Sequence, residues 1–508
     1  MIMIHKIFSK LEKGASLKLE KGASLLSLMF VASLSSFIAS GAEFYVDSRA
    51  EPGGTGTQAS PFVTIRAAFD LAGEGDTILV RGGADRSYTV ASGGDLVVVP
   101  ASNITLRSHG GEGPAKVVIS ETLSVVTNNA SVILVPTNAT YFTVSGFDFT
   151  YFGSRGIANA GSLGNRGRVI DLFGDYATIE DCTFRQVGNY SSSKKDYTYN
   201  TPGGDKPDQM GHAAVATRAY QADKDKGRYL TVARCRFLGE TEDRSMSAAI
   251  HGRDSVFSEN IFSNCYYIVW PIKNCDTSFL FSSNILYRCR SIQAKCNSWQ
   301  EWPNAEFAYN IFFSDAGGNA EPFFYKNGKH GLVGKKVFIH HNTLVNASHL
   351  ALIAADSTIS WQPQFFDNLI LLDPKIATAD ATVFLNRQTA FVDGNFSSFG
   401  TDGVGCLKNN AWYAPGGISG GAAIAVEGYD LAKGCAITNN IVLDTWPTFM
   451  SMDLGSPNFM RPRASRNPTW ATRGVAWTNA VSGCKTGLCD YIGAVEPLSP
   501  RSFIIHLR

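Results

Sequence analysis

Ten short segments of the chain share one pattern, an Asn or Cys with an apolar residue one or two positions later. They are Cys182-Thr183-Phe184, Cys235-Arg236-Phe237, Asn260-Ile261-Phe262, Asn284-Ile285-Leu286, Asn310-Ile311-Phe312, Asn342-Thr343-Leu344, Asn368-Leu369-Ile370, Asn395-Phe396, Asn410-Ala411-Trp412 and Asn440-Ile441-Val442. From Cys235 to Asn395 the steps are 25, 24, 26, 32, 26 and 27 residues. A near-constant period in this range is the signature of a solenoid, in which each repeat stacks on its neighbours because it cannot bury its apolar face alone.

The residues between the marks decide which solenoid. They are short runs of Val, Ile, Phe and Tyr broken by Gly, Asn, Asp and Ser, with a helical apolar period only over 64–72. A coil of three short strands and three turns needs roughly 22 to 26 residues, and each strand lies about 4.8 Å above its counterpart in the previous coil. The chain is therefore expected to be all-β, a parallel β-helix. The repeated Asn fits one turn of every coil, where it tolerates left-handed geometry and its amide can bond to the Asn above.

The chain has 508 residues and a formal net charge of +1. A solenoid grows along one axis, so this length suits one long domain, expected over 43–498. Near-neutral charge gives no reason to expect nucleic acid as a partner. Residues 1–42 have the form of a signal peptide. Lys6, Lys10, Lys13, Lys18 and Lys21 precede the apolar stretch 25–39, and small residues follow at Ala39-Ser40-Gly41-Ala42. The apolar stretch is short for a membrane span. A secreted or periplasmic protein with no membrane association is expected, acting as a monomer.

Ten cysteines suit an exported chain. Cys265 and Cys289 each lie five residues after a repeat Asn, so they stack in adjacent coils and are expected to form a disulfide. Cys484 with Cys489 and Cys406 with Cys435 are further candidate pairs. Cys182 and Cys235 occupy the Asn position and are expected to be buried thiols. No Cys or His spacing suggests zinc.

After the leader come a strand at Phe44-Tyr45-Val46, a Gly-rich turn, a short helix over 64–72 and a strand at Thr77-Ile78-Leu79-Val80. This order reads as an N-terminal cap whose helix covers the open end of the first coil. Between about 190 and 228 the period is lost in a polar insertion that contains His212. Long loops on one side of a solenoid shape its binding surface.

In register, the coils bring cations to one side. His251 and Arg253 precede Asn260, Lys273 precedes Asn284, Lys295 precedes Asn310, and Lys326, Lys329 and His330 precede Asn342. Tyr266, Tyr267, Trp270, Trp299 and Trp302 lie beside them. Rings stack on sugar faces and cations pair with carboxylates, so a cation row lined by aromatics suits an anionic polysaccharide.

Three elements within 248–289 carry a family resemblance. Ala249-Ile250-His251-Gly252-Arg253-Asp254-Ser255 is similar to the Ile-Arg-x-Gly-x-Ser element of the polysaccharide lyase family that contains chondroitinase B and many alginate lyases. Glu259-Asn260-Ile261-Phe262-Ser263-Asn264-Cys265 resembles its Glu-x-Asn-Leu-Phe-x-x-Cys run, and Ile272-Lys273-Asn274-Cys275 its Asn-Lys-Ser element. The chain's opening and its Ile492-Gly493-Ala494-Val495-Glu496 ending also resemble secreted right-handed β-helix proteins of this kind. The resemblance implies a right-handed coil and makes Lys273 the catalytic base, with Lys295 where the family has a catalytic arginine. The family usually carries acidic calcium ligands just before the lysine. Here that stretch is Tyr266-Tyr267-Ile268-Val269-Trp270, which has no carboxylate, so no cofactor is expected, Ca2+ staying open as the alternative without those acidic ligands.

The implied reaction is β-elimination from a uronate. Removing the proton beside a carboxylate requires that carboxylate to be neutralised, a task for Arg253 and Lys295. Neighbouring positive charge also favours the neutral, basic form of Lys273. His251, Tyr266 or Tyr267 is the candidate acid toward the leaving oxygen, with Trp270, Trp299, Lys326, His330 and His212 as substrate contacts. Two other classes remain open at this level: a β-helix glycoside hydrolase using Asp254 with Asp276 or Asp171 with Asp175, and a non-catalytic glycan-binding or adhesion protein.

Overall fold

The computed structural model describes residues 41–90, 97–110, 113–119, 131–151, 168–185, 213–217, 227–239, 246–247, 254–268, 278–289, 292–295, 304–313, 323–327, 335–347, 351–353, 361–371, 385–387, 407–413, 426–427, 437–438, 441–463, 476–477 and 487–488. Every strand pairing in the coils is parallel and joins strands of successive coils, which is a right-handed parallel β-helix. The first sheet has thirteen strands, from Glu43–Val46 to Ile437–Thr438, and the second twelve, from Ser87–Val90 to Ile441–Val442. The third face is broken into sheets of four, two and five strands.

Each coil turns at left-handed corners. Residues entering the first sheet include Gly75, Asn103, Tyr141, Tyr176, Tyr229 and Asp254, with φ between 53° and 86°. Those between the first and second sheets run Gly146, Asp181, Arg234, Glu259, Ser283, Tyr309, His341, Asp367 and Asn409. Asn264, Arg288 and Asn346 follow the second sheet. A corner residue's N–H typically bonds to a carbonyl in the next coil, as in Tyr176 N to Arg228 O at 2.8 Å and Arg234 N to Ser258 O at 3.0 Å.

The left-handed residue is thus the one before each repeat Asn, not the Asn itself. Once the corner has reversed the backbone, the Asn side chain points into the coil, and Asn260, Asn284, Asn310, Asn342, Asn368 and Asn410 are all fully buried. Each amide oxygen accepts from the coil before, each Nδ2 donates to a carbonyl, and from Asn260 to Asn368 each Nδ2 also donates to the next oxygen. For Asn310, Nδ2 donates to Phe281 O at 3.0 Å and to Asn342 Oδ1 at 3.0 Å. Its Oδ1 accepts from Asn284 N at 3.0 Å and Asn284 Nδ2 at 3.1 Å. Burial of so many amides is tolerated because their hydrogen-bonding capacity is met. The rung after Asn368 is Asn410, 42 residues on, so this coil is long. Asn395 lies outside the described residues.

Two residues after each rung, an apolar side chain points inward. Phe149, Phe184, Phe237 and Phe262 form a continuous stack, with successive ring centroids at 5.2, 5.0 and 4.8 Å. Register makes this column: Phe184 pairs with Phe237, and Phe237 with Phe262. The N-terminal end is closed as expected. The helix Ile65–Phe69 is capped by Thr64, whose Oγ1 accepts from Ala67 N at 3.2 Å, and it buries Ile65, Ala68 and Phe69. It packs against Glu43–Val46, Thr77–Arg81 and Val97–Val98.

Within the polar insertion, Ala213–Thr217 is a third-face strand paired with Arg168–Leu172; the period is lost because this coil, from Cys182 to Cys235, is 53 residues long. Beyond residue 400 the coils continue through Ile441–Val442, and the following segment folds back on the second sheet. Phe459, Met460, Trp446 and Phe449 pack there against Ile311, Val345, Leu369 and Leu371, which buries the outward side of those strands.

Candidate functional site

The stretch that carries the family resemblance folds as consecutive coils. Val256–Ser258 belongs to the first sheet, Ile261–Ser263 to the second and Cys265–Tyr267 to the third face, followed by Ser278–Ser282 and Ile285–Tyr287. Tyr266 and Tyr267 therefore stand on the third face, and Lys295 and Lys326 lie on third-face strands Ile292–Lys295 and Phe324–Asn327. Register sets Lys295 beside Asn327 and Lys326 beside Ala294, so these two lysines are offset by one residue. His212, His251, Arg253, Trp270, Lys273, Trp299 and His330 lie outside the described residues. In the sequence, Arg253 lies between Met246–Ser247 and Val256–Ser258, and Lys273 between Cys265–Tyr267 and Ser278–Ser282.

The calcium position of the resembling family is supplied here by Cys265, Tyr266, Tyr267 and Ile268, with no carboxylate in the strand. That set does not suit a hard dication, which takes oxygen ligands and is commonly held by carboxylates. Among the described residues no group of three His, Cys, Asp or Glu side chains converges on a metal position.

The expected Cys265–Cys289 disulfide is absent: both are free, buried thiols, as are Cys182 and Cys235. In a parallel stack the side chains run side by side at the coil spacing of about 4.8 Å, beyond the usual Cβ separation of a disulfide. Each thiol donates instead to a nearby carbonyl, Cys265 Sγ to Ser263 O at 3.4 Å and Cys289 Sγ to Tyr287 O at 3.3 Å. Burial, then the hydrogen bond with Cys289, pushes the Cys265 thiol well up, so it stays protonated and inert. Cys406, Cys435, Cys484 and Cys489 lie outside the described residues.

Several charged groups are committed to structure. Arg234 spans Glu180 Oε2 at 2.7 Å and Asp181 Oδ1 at 2.8 Å, which ties neighbouring corners together. Asp175 holds Arg228 through its backbone N at 2.8 Å and Nη2 at 3.0 Å. Asp171 is fully buried on the third face and accepts from Ser131 Oγ at 3.2 Å. Asp171 and Asp175 thus sit in one coil and hold different partners. Asp254 is a left-handed corner residue; Asp276 lies outside the described residues.

A buried polar chain on the first sheet went unseen in the sequence. Glu306, His340, His341 and Asp367 are each at most 1% exposed. Glu306 Oε1 is 3.1 Å from His340 Nε2, His340 Nδ1 is 2.8 Å from His341 Nδ1, and His341 Nε2 is 3.5 Å from Asp367 Oδ2. Asn409 Nδ2 donates to Asp367 Oδ1. The carboxylates would favour imidazolium, yet burial outweighs them and lowers both histidines, His341 to about 3. A neutral imidazole has one donor and one acceptor nitrogen, so in the His340–His341 contact one ring's N–H donates to the other's bare nitrogen. His340 and His341 fall at a first-sheet strand end and at the corner that follows it, which only the coil register reveals.

No protein-family model matches the chain, and no curated protein matches it by sequence. Solved structures share its architecture at low identity. Pectate lyase Pel9A is 13% identical with a TM-score of 0.48, covering 91% of this chain and 98% of that one. The PL6 family polysaccharide lyase Pedsa3628 from Pseudopedobacter saltans is 13% identical with a TM-score of 0.39, covering 84% and 96%. A GH136 lacto-N-biosidase from Eubacterium ramulus is 9% identical with a TM-score of 0.42, covering 82% and 68%. Likeness at this level separates neither one chemistry nor one substrate from another. No helix among the described residues is long and apolar enough to cross a membrane.

Proposed function

We propose that the chain is an exported polysaccharide lyase that cleaves a uronate-containing polymer by β-elimination. One observation carries the reading. In the sequence, Arg253 and Lys273 each fall between a third-face strand and the first-sheet strand that follows it, and Lys295 ends the strand Ile292–Lys295, which supports reading the three as neighbours. Coils spaced by about 4.8 Å keep such positions within reach of one sugar unit. Arg253 and Lys295 pair with the uronate carboxylate, which removes the charge that opposes proton loss. Lys273 takes the proton, and the electron pair expels the 4-linked oxygen, which His251 or Tyr267 protonates. Tyr266, Trp270, Trp299, Lys326, His330 and His212 extend the contacts to neighbouring sugars. The carboxyl pairing a hydrolase would need gains no support from Asp171 and Asp175, which have separate partners.

The test is to incubate the purified protein with alginate, polygalacturonate and chondroitin sulfate, with and without chelator. The unsaturated product is followed by its ultraviolet absorbance. The wild type should generate it from at least one polymer, and Lys273→Ala should lower the rate by about 10²- to 10⁴-fold, the usual contribution of a general base. Absence of unsaturated product from all three polymers, or full activity in Lys273→Ala, overturns the assignment.

A further inference from the structure

We propose that Tyr141, Tyr176 and Tyr229 form a binding track for an extended sugar chain running along the coil axis. All three occupy the corner that enters the first sheet, with φ of 58°, 62° and 60°. The three side chains are 52%, 40% and 37% exposed, so successive coils place three large aromatic rings at the surface on one corner.

Their rings form one column. Tyr141 and Tyr176 have centroids 4.6 Å apart with planes at 7°, and Tyr176 and Tyr229 have 4.6 Å and 13°. The centroid spacing is close to the coil spacing of about 4.8 Å, so the rings stack one above another along the axis while each stays partly exposed. The column repeats a stacking surface and a hydroxyl that both donates and accepts, once per coil. That repetition matches a polyhydroxylated chain running parallel to the axis better than a compact ligand. At its far end the Arg228 guanidinium, held by Asp175, lies 5.5 Å from the Tyr229 ring centroid. The next corner is Asp254, two residues before its strand as Tyr229 is before Thr231–Ala233. There the sequence enters the stretch that holds Arg253 and Lys273. The track takes its ligand class from the lyase reading but does not depend on its chemistry.

The test measures binding of alginate, polygalacturonate, chondroitin sulfate and a neutral glucan by affinity electrophoresis in the Lys273→Ala background, so that polymer is not consumed. Replacing all three tyrosines with Asn, which accepts the left-handed corner, should weaken binding by about tenfold or more. The circular dichroism spectrum should be retained. A folded triple variant that binds as tightly as its parent, or a parent that binds none of the polymers, overturns the track. Should the triple variant not fold, Tyr176→Trp decides: its emission shifts on adding polymer if the track is real, and an unchanged spectrum overturns it. Binding that depends on the tyrosines in a wild type that forms no unsaturated product would overturn the lyase assignment and leave the track standing.

Discussion

Asn310→Ala probes what holds the coils in register. The substitution removes four hydrogen bonds at once: those from Asn284 N and Asn284 Nδ2 to Oδ1, and those from Nδ2 to Phe281 O and Asn342 Oδ1. Two groups keep another partner, since Asn284 Nδ2 still donates to Phe257 O and Asn342 Oδ1 still accepts from Asn310 N. Asn284 N–H loses its acceptor inside the coil, where water does not replace it. At about 1 kcal/mol net for each bond, plus about 1–2 kcal/mol for the buried orphan, the cost is about 5 kcal/mol. An isolated turn Asn would cost about 1 kcal/mol or less. Urea unfolding monitored by circular dichroism gives the loss, and hydrogen exchange at the Asn284 amide gives its location. Because the two residues share bonds, Asn284→Ala combined with Asn310→Ala should cost less than the sum of the singles. A loss under about 1 kcal/mol with the Asn284 amide still protected would refute the ladder as a source of stability.

Other outcomes follow from neighbouring positions. Cys235→Asn should extend the ladder, because Asn260 Oδ1 accepts only from Cys235 N, at 2.9 Å; a gain of about 1 kcal/mol is expected in the same urea assay, and a loss would refute it. Cys265 and Cys289 should resist alkylation in the native protein and both be alkylated on denaturation without reductant, as read by peptide mass; a linked peptide would contradict the free thiols. Because burial lowers His340 and His341 below an unfolded value near 6.5, their neutral forms contribute fully above that pH, and stability falls as pH drops from 6.5 toward 3. At pH 5 the loss should be about 2 kcal/mol for each histidine; a urea midpoint unchanged between pH 7 and pH 5 would show that these rings are not buried neutral.

The sequence by itself determined the solenoid. A repeat of Asn or Cys followed by an inward apolar residue is a local code, written once per coil, and each copy specifies the same rung and the same Phe, Leu or Ile behind it. Composition and the repeat length then left strands as the only economical filling, and Thr64 before Ile65 marked the cap helix. Tertiary structure alone decided which residue of each turn is left-handed, since the φ sign depends on how successive coils bond rather than on residue type: Arg234, Glu259 and Tyr309 take it as readily as Asn409. It also decided that Cys265 and Cys289 remain apart, because parallel stacking fixes side chains abreast at the coil spacing. The tyrosine column was equally hidden, its members separated by 35 and 53 residues with no common motif, and aligned only because two coils of unequal length return the chain to the same corner. The Glu306–His340–His341–Asp367 chain was hidden for the same reason: contacts across coils are set by register, and register is a property of the stack.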